Sequence, residues 1–225
     1  MSAVDLPYRY IAHRCQGFES PENSEASLRK ALVSRAHEVE LDLYASGSDG
    51  FVASHWPPWL TGGSCSRMTL ESLMRVFGEL GGRKGLRLDL KSVGSEERLL
   101  DLLRKWPFYE RITVMSRSPS ALVRLRRQEP PIRTSLSLVL TGSRFVDSLL
   151  YSRAMTALTD RFGENQVSLT LASLSGAYSM QLIDRAVTET AELVVCVRSE
   201  LQAQTLSARG VSVFLSKVPL PVGDA

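Results

Sequence analysis

Near the start of the chain, Tyr8-Arg9-Tyr10-Ile11-Ala12-His13 is followed by Ser24-Glu25-Ala26-Ser27-Leu28-Arg29-Lys30-Ala31-Leu32-Val33-Ser34 and then by Glu38-Val39-Glu40-Leu41-Asp42-Leu43-Tyr44. The outer runs read as short strands. The middle run, with Leu28, Ala31 and Leu32 at helical spacing, reads as an amphipathic helix. The unit recurs downstream. Strands are expected at Leu86–Leu90, Ile112–Met115, Arg133–Leu140, Val167–Leu171, Leu193–Val197 and Val211–Leu215. Helices are expected at Met68–Leu80, Glu96–Lys105, Pro119–Gln128, Ser148–Phe162, Tyr178–Thr190 and Glu200–Arg209. This alternation predicts a parallel sheet with right-handed crossovers. About eight such units point to an α/β fold, a (β/α)8 TIM barrel, with residues 1–225 as a single domain. A further candidate strand, Phe51–His55, follows the Ser48-Asp49-Gly50 turn as a hairpin-like pair that departs from strict alternation, and of the nine strand candidates one is expected outside the barrel. A doubly wound open sheet is the alternative, but no glycine-rich phosphate loop follows the first strand.

A chain of 225 residues is long enough for one barrel, and 44% hydrophobic with 23% charged residues is ordinary for a globular protein. The net charge of +3 gives no reason to expect a nucleic-acid partner. Arg124, Arg126 and Arg127 read as a solvated helix face, with a phosphate-attracting rim as the second reading. No run reaches the ~20 apolar residues of a membrane span. The start, with Asp5 and no apolar run before Tyr8, lacks a secretory signal pattern, so a cytoplasmic location is expected. Three cysteines, Cys15, Cys65 and Cys196, favour reduced thiols, although Cys15 and Cys65 fall where a disulfide would pin two loops.

Active sites of such barrels are built at the carboxyl ends of the strands. By that rule His13 and Arg14 end the first strand, Glu40 and Asp42 lie in or near the end of the second, His55 ends the third, and Asp89 and Lys91 end the fourth. All seven are expected on one rim. Glu40 and Asp42 stand two apart, so their side chains share a face. Facing inward, such like charges need a cation or protons. Oxygen donors without a nearby cysteine favour Mg²⁺ or Ca²⁺, with Asp89 as third ligand. The competing reading holds these carboxylates with Arg14, Arg87 and Lys91 in a structural network.

His13 and His55 are two of only three histidines. Free histidine titrates near pH ~6.5, so a pair can supply an acid and a base near neutrality. His37 precedes the second strand at the opposite end and reads as structural. Arg14 and Lys91 are suited to holding phosphate oxygens. In Pro21-Glu22-Asn23, either Asn23 or Ser24 caps the following helix, and Glu22 is placed to orient Arg14 or a histidine.

These residues also carry a resemblance. His13-Arg14, Pro21-Glu22-Asn23, Glu40-Leu41-Asp42 and His55 resemble, in order and spacing, the opening motifs of the glycerophosphodiester phosphodiesterase family, in the phospholipase C-like phosphodiesterase superfamily. The resemblance implies metal-assisted cleavage of a glycerophosphodiester to an alcohol and a glycerol phosphate. In that mechanism His13 and His55 act as acid and base, Glu40, Asp42 and Asp89 hold a divalent cation, Arg14 and Lys91 hold phosphate, and Glu22 supports them.

Departures are equally specific. Cys15 stands where the family has glycine, Leu88-Asp89-Leu90-Lys91 where it typically reads Glu-Ile-Lys, and His55-Trp56 where it reads His-Asp. The loop from Trp56 to Arg67 is shorter than the family's insertion, and Trp56 and Trp59 there are expected either to stack on substrate or to fill the loop. Late motifs are replaced by Val195-Cys196-Val197-Arg198 and Ser216-Lys217-Val218-Pro219. The His-Trp-Pro-Pro run and short loop are similar to the superfamily's menorin-like branch. The expected function is therefore a metal-dependent phosphodiesterase on a small-molecule substrate. The alternatives are phospholipase D-like action on a lysophospholipid or sugar phosphodiester, and a catalytically silent barrel that binds a phospho-ligand or partner.

Overall fold

The computed structural model describes residues 9–16, 20–47, 50–60, 67–162, 167–173 and 179–215. Nine strands form a single sheet: β1 (Tyr10–Ala12), β2 (Glu38–Ser46), β3 (Gly50–Ala53), β4 (Gly85–Leu90), β5 (Ile112–Ser116), β6 (Arg133–Leu140), β7 (Ser168–Ser173), β8 (Glu192–Val197) and β9 (Ser212–Leu215). Eight of them run parallel in the order β1-β9-β8-β7-β6-β5-β4-β2, and β1 closes on β2 through Ile11↔Glu38 and Ala12↔Val39. This is the expected (β/α)8 barrel. Seven helices cover the described outside: α1 (Glu25–Val33), α2 (Leu70–Leu80), α3 (Glu96–Leu103), α4 (Pro119–Arg126), α5 (Arg144–Phe162), α6 (Met180–Glu189) and α7 (Glu200–Ser207). No helix among the described residues is long and apolar enough to cross a membrane.

The alternation within β2 divides the molecule. Val39, Leu41 and Leu43 face the helices and join the main core with Leu28, Leu32, Leu86 and Leu88, all buried. Glu38, Glu40 and Asp42 take the opposite face, inside the barrel, where they too are buried. A smaller apolar cluster of Ile11, Met115, Val194 and Phe214 plugs the barrel's middle. Beside it Ser135 Oγ and Thr170 Oγ1 satisfy one another at 3.0 Å.

Most helix boundaries follow local signals. Ser24 rather than Asn23 caps α1: Ser27 N–H donates to Ser24 Oγ at 3.1 Å, and Ser24 N–H donates to Ser27 Oγ at 3.2 Å. Helix α5 begins four residues before the expected Ser148. Its start is fixed by Asp147, whose carboxylate accepts from the Thr141 and Gly142 amides at 2.7 and 3.0 Å. Apolar periodicity carries no trace of that tie. The arginine trio is not simply solvated: Arg124 forks onto Glu96 at 2.7 and 3.2 Å, and Arg126 lies over the Phe162 ring at 4.3 Å. His37 is structural as expected, its Nδ1 accepting from Tyr10 N–H at 3.1 Å.

At the amino end of the barrel the structural-network expectation meets a correction. Arg87 does not join the carboxylates of Glu40, Asp42 and Asp89. It is 1% exposed and pairs with Glu38 and, at 2.7 Å, with Glu192 on β8, while Arg9 contacts both acids from outside. Position explains this: Arg87 lies one inward step below Asp89, so its side chain falls in the lower layer of the interior. Gly85 makes room for the network, because a Cβ there would stand 2.7 Å from Glu38 Cγ.

Candidate active site at the carboxyl rim

Strand β1 ends in a single tight turn, His13–Cys15, where φ is 52° at Arg14 and 51° at Cys15. Neither residue is glycine, so the left-handed backbone costs on the order of 1–3 kcal/mol per residue. The turn is held by Arg14 N–H donating to Glu40 Oε2 at 2.8 Å and by the Cys15 thiol, 3.8 Å from the Glu40 carbonyl oxygen. Burial, and then the nearby Glu40, push the Cys15 thiol well above its ordinary pKa, so it is an inert packing group. Cys15 is a free thiol; Cys65 lies outside the described residues.

Asp42 is the hub. Arg14 Nε lies 2.9 Å from its Oδ2, His55 Nδ1 3.3 Å and Asn23 Nδ2 3.2 Å, while Lys91 Nζ is 2.6 Å from Oδ1. Burial alone would raise this carboxyl's pKa. The His55 hydrogen bond and the charges of Lys91 and Arg14 outweigh it and hold Asp42 below the usual carboxylate range. Glu40 goes the other way. Its burial and the neighbouring Asp42 and Asp89 charges push it well up. Glu40, Asp42 and Asp89 each offer an oxygen within 4.8 Å of the others, all buried. Asp89 Oδ1 is buried without a hydrogen-bond partner, although Lys91 holds Oδ2. Three buried carboxylates, one pressed toward its protonated form and one with an unclaimed oxygen, fit a hard divalent cation.

The two histidines flank this trio. His13 Nε2 is 3.9 Å from Glu40 Oε2, and burial with the charges of Arg14 and Lys91 lowers its pKa to about 3 despite the opposing Asp42. His55 reaches the rim, but not as the end of a barrel strand. Strand β2 overshoots the rim to Ser46, and β3 returns antiparallel beside it from Gly50↔Ser46 to Ala53↔Leu43. Ser54 N–H then donates to the Asp42 carbonyl at 3.1 Å, delivering His55 above the acids. Glu22 touches both of its expected partners, Arg14 Nη1 at 3.5 Å and His55 Nδ1 at 3.8 Å, and accepts from the Gln16 amide. The structure therefore brings His13, Arg14, Glu22, Glu40, Asp42, His55, Asp89 and Lys91 together.

No family model matches this sequence, and no curated protein does either. Solved structures do. A provisionally assigned glycerophosphodiester phosphodiesterase from Galdieria sulphuraria superposes with a TM-score of 0.70 at 20% identity, covering 96% of each chain. An Oleispira antarctica phosphodiesterase, solved with its product sn-glycerol-3-phosphate, gives 0.66 at 21% identity over 94% of this chain and 93% of that one. A glycerophosphodiester phosphodiesterase from Thermotoga maritima gives 0.66 at 13% identity, covering 94% and 96%. The chain has the fold of these phosphodiesterases.

Set in that fold, Asn23 does more than the capping that motif reading offered it. Its backbone is left-handed (φ 56°), and its side chain reaches β2, accepting from Asp42 N–H at 2.9 Å while donating to the Asp42 carboxylate. It clamps the hub. Asn23→Ala strands a buried amide and frees Asp42, so it is expected to cost about 1–3 kcal/mol. A chemical denaturation series would show it as a lowered midpoint; an unchanged midpoint would contradict the clamp. Asparagine after Pro-Glu at a helix start reads as a cap, and only the tertiary contact reveals the other use.

The rim opens into a cavity of about 610 Å³ lined by Arg14, His55, Lys91, Tyr44, Trp56 and Arg117, among others. The two tryptophans part company here. Trp56 lines the cavity and meets His55 edge-on at 4.8 Å, whereas Trp59 rests edge-on against Tyr44 at 6.3 Å.

Proposed function

We propose that this barrel is a divalent-metal-dependent phosphodiesterase acting on a glycerophosphodiester-type small molecule, releasing an alcohol and a glycerol phosphate. One observation carries the reading: a buried carboxylate trio, two histidines and two cations meet at the mouth of one open cavity. The product-bound Oleispira antarctica neighbour supports the substrate class.

Glu40, Asp42 and Asp89 would hold Mg²⁺ or Ca²⁺. A divalent cation there supplies Lewis-acid polarisation of a phosphoryl oxygen and acidifies the attacking hydroxyl or water. Arg14 and Lys91 then hold the remaining phosphate charge, Arg14 through a guanidinium that Asp42 and Glu22 keep in place. One of His13 and His55 takes the proton of the attacking oxygen, and the other protonates the departing alcohol. Asp42 fixes His55 through Nδ1, leaving Nε2 for substrate. Glu22 holds both the arginine and the histidine, so it aligns the phosphate clamp with the acid/base pair.

Release of p-nitrophenol from bis(p-nitrophenyl) phosphate in Mg²⁺, Ca²⁺ and EDTA tests the metal dependence. Turnover with either cation that vanishes in EDTA and returns on resupply is the expected result. Turnover that persists undiminished in EDTA would overturn the role given to the acids.

A further inference from the structure

The cavity beside the carboxylate trio is lined by three cations, Arg14, Lys91 and Arg117. Two of them are matched. Arg14 is engaged by Asp42 and Glu22, and Lys91 by Asp42 and Asp89. Arg117 is not: it stands exposed at the end of β5, and no ion pair or hydrogen bond joins its side chain to another described residue. The first turn of α4, which follows it, holds no acid either.

The loop that carries it is nevertheless well fixed. Ser116 Oγ accepts from Ser118 N–H at 3.2 Å, and Ser118 Oγ accepts from Ala121 N–H at 3.3 Å. The base of the Arg117 side chain is thereby held while the guanidinium stays free to meet a ligand. The rest of this wall is apolar and open: Trp56, Leu60 and Val93 are 59%, 67% and 63% exposed.

We propose that Arg117 selects substrates whose leaving alcohol itself carries an anionic group, a phosphate monoester or a carboxylate; the proposal rests on the phosphodiesterase reading above. The scissile phosphate would be met by Arg14, Lys91 and the cation that the carboxylates would hold. A guanidinium on the wall of the same cavity, with no ion-pair partner among the described residues, has charge to offer a second anion, which its planar fork can bind in bidentate fashion. The apolar wall accommodates the carbon skeleton joining the two anions. A solvated surface arginine with no ligand role would show no preference between substrates differing only in that second charge.

Two substrate pairs isolate the effect. Glycerophosphoserine differs from glycerophosphoethanolamine by a carboxylate, and glycerophosphoinositol 4-phosphate differs from glycerophosphoinositol by a phosphate. The wild-type protein is expected to favour the anionic member of at least one pair by about tenfold or more in kcat/KM, the range of one charge-assisted hydrogen bond. Arg117→Ala brings that ratio close to one, and Arg117→Glu inverts it. Which pair responds distinguishes a carboxylate ligand from a phosphate. Ratios near one in the wild type, or ratios that survive in Arg117→Ala, overturn the proposal. Turnover of none of the four would instead overturn the phosphodiesterase reading. Calorimetric affinities for the same pairs still judge Arg117 in that case, and equal affinity within both pairs would reject it. Because Arg117 is exposed, a Tm matched to the wild type is expected of each variant and verifies that the fold is intact.

Discussion

Replacing His13 or His55 with alanine lowers phosphodiester turnover by roughly three orders of magnitude, the scale of losing a positioned acid or base. Both side chains are partly exposed at the rim, at 20% and 28%, so the thermal midpoint stays close to the wild-type value. The two losses are not additive: the double variant falls no further than the weaker single, because an acid without its base partner does little. Steady-state kinetics on one diester, with Tm measured on each variant, checks all of this together. Full turnover in either single variant would remove that histidine from the chemistry.

The second large effect lies at the other end of the barrel. Arg87→Met leaves the buried Glu38 and the partly exposed Glu192 with Arg9, itself nearly half exposed, as the cation that answers them, beside the Ser168 hydroxyl on Glu192. Removing one partner of a buried ionic cluster costs about 3–5 kcal/mol. For a chain of this size that lowers Tm by roughly 6–20 °C. A comparison on the surface sets the scale: the Arg29–Glu25 pair is open to solvent, and Arg29→Met is expected to leave Tm where it was. Differential scanning calorimetry of the two variants gives the contrast. Equal, small shifts would mean that the Arg87 layer contributes specificity of packing rather than stability.

Much of this was legible in the sequence because two periodicities coincide. The alternation of Glu38, Glu40 and Asp42 with Val39, Leu41 and Leu43 marks both a barrel strand and which residues line its interior. The strand-end rule then gathers His13, Arg14, Asp89 and Lys91 at one rim. For His55 the rule reached the right place by the wrong route, since β3 is an antiparallel return outside the barrel. Arg87 shares the inward parity of Asp89 but lies a layer below it, and parity alone does not distinguish depth. Asn23 and Arg117 were illegible for a different reason. Asn23 acts through a neighbour distant in sequence, clamping Asp42, and Arg117 stands out only because, among the described residues, it has no ion-pair partner where the other cavity cations do. The late strands lost the motifs of the resembling family and still close the barrel, because closure needs apolar, β-branched runs such as Val194, Val195 and Val213 rather than particular functional residues.

The measurement that bears most directly on this account is phosphorus NMR of glycerophosphoserine incubated with the protein in Mg²⁺ or Ca²⁺ and in EDTA. With a cation, the diester resonance is expected to give way to that of a glycerol phosphate monoester, and in EDTA to remain unchanged. A diester resonance that persists with either metal, under conditions where the protein is folded and binds the cation, would contradict a glycerophosphodiesterase site at this rim.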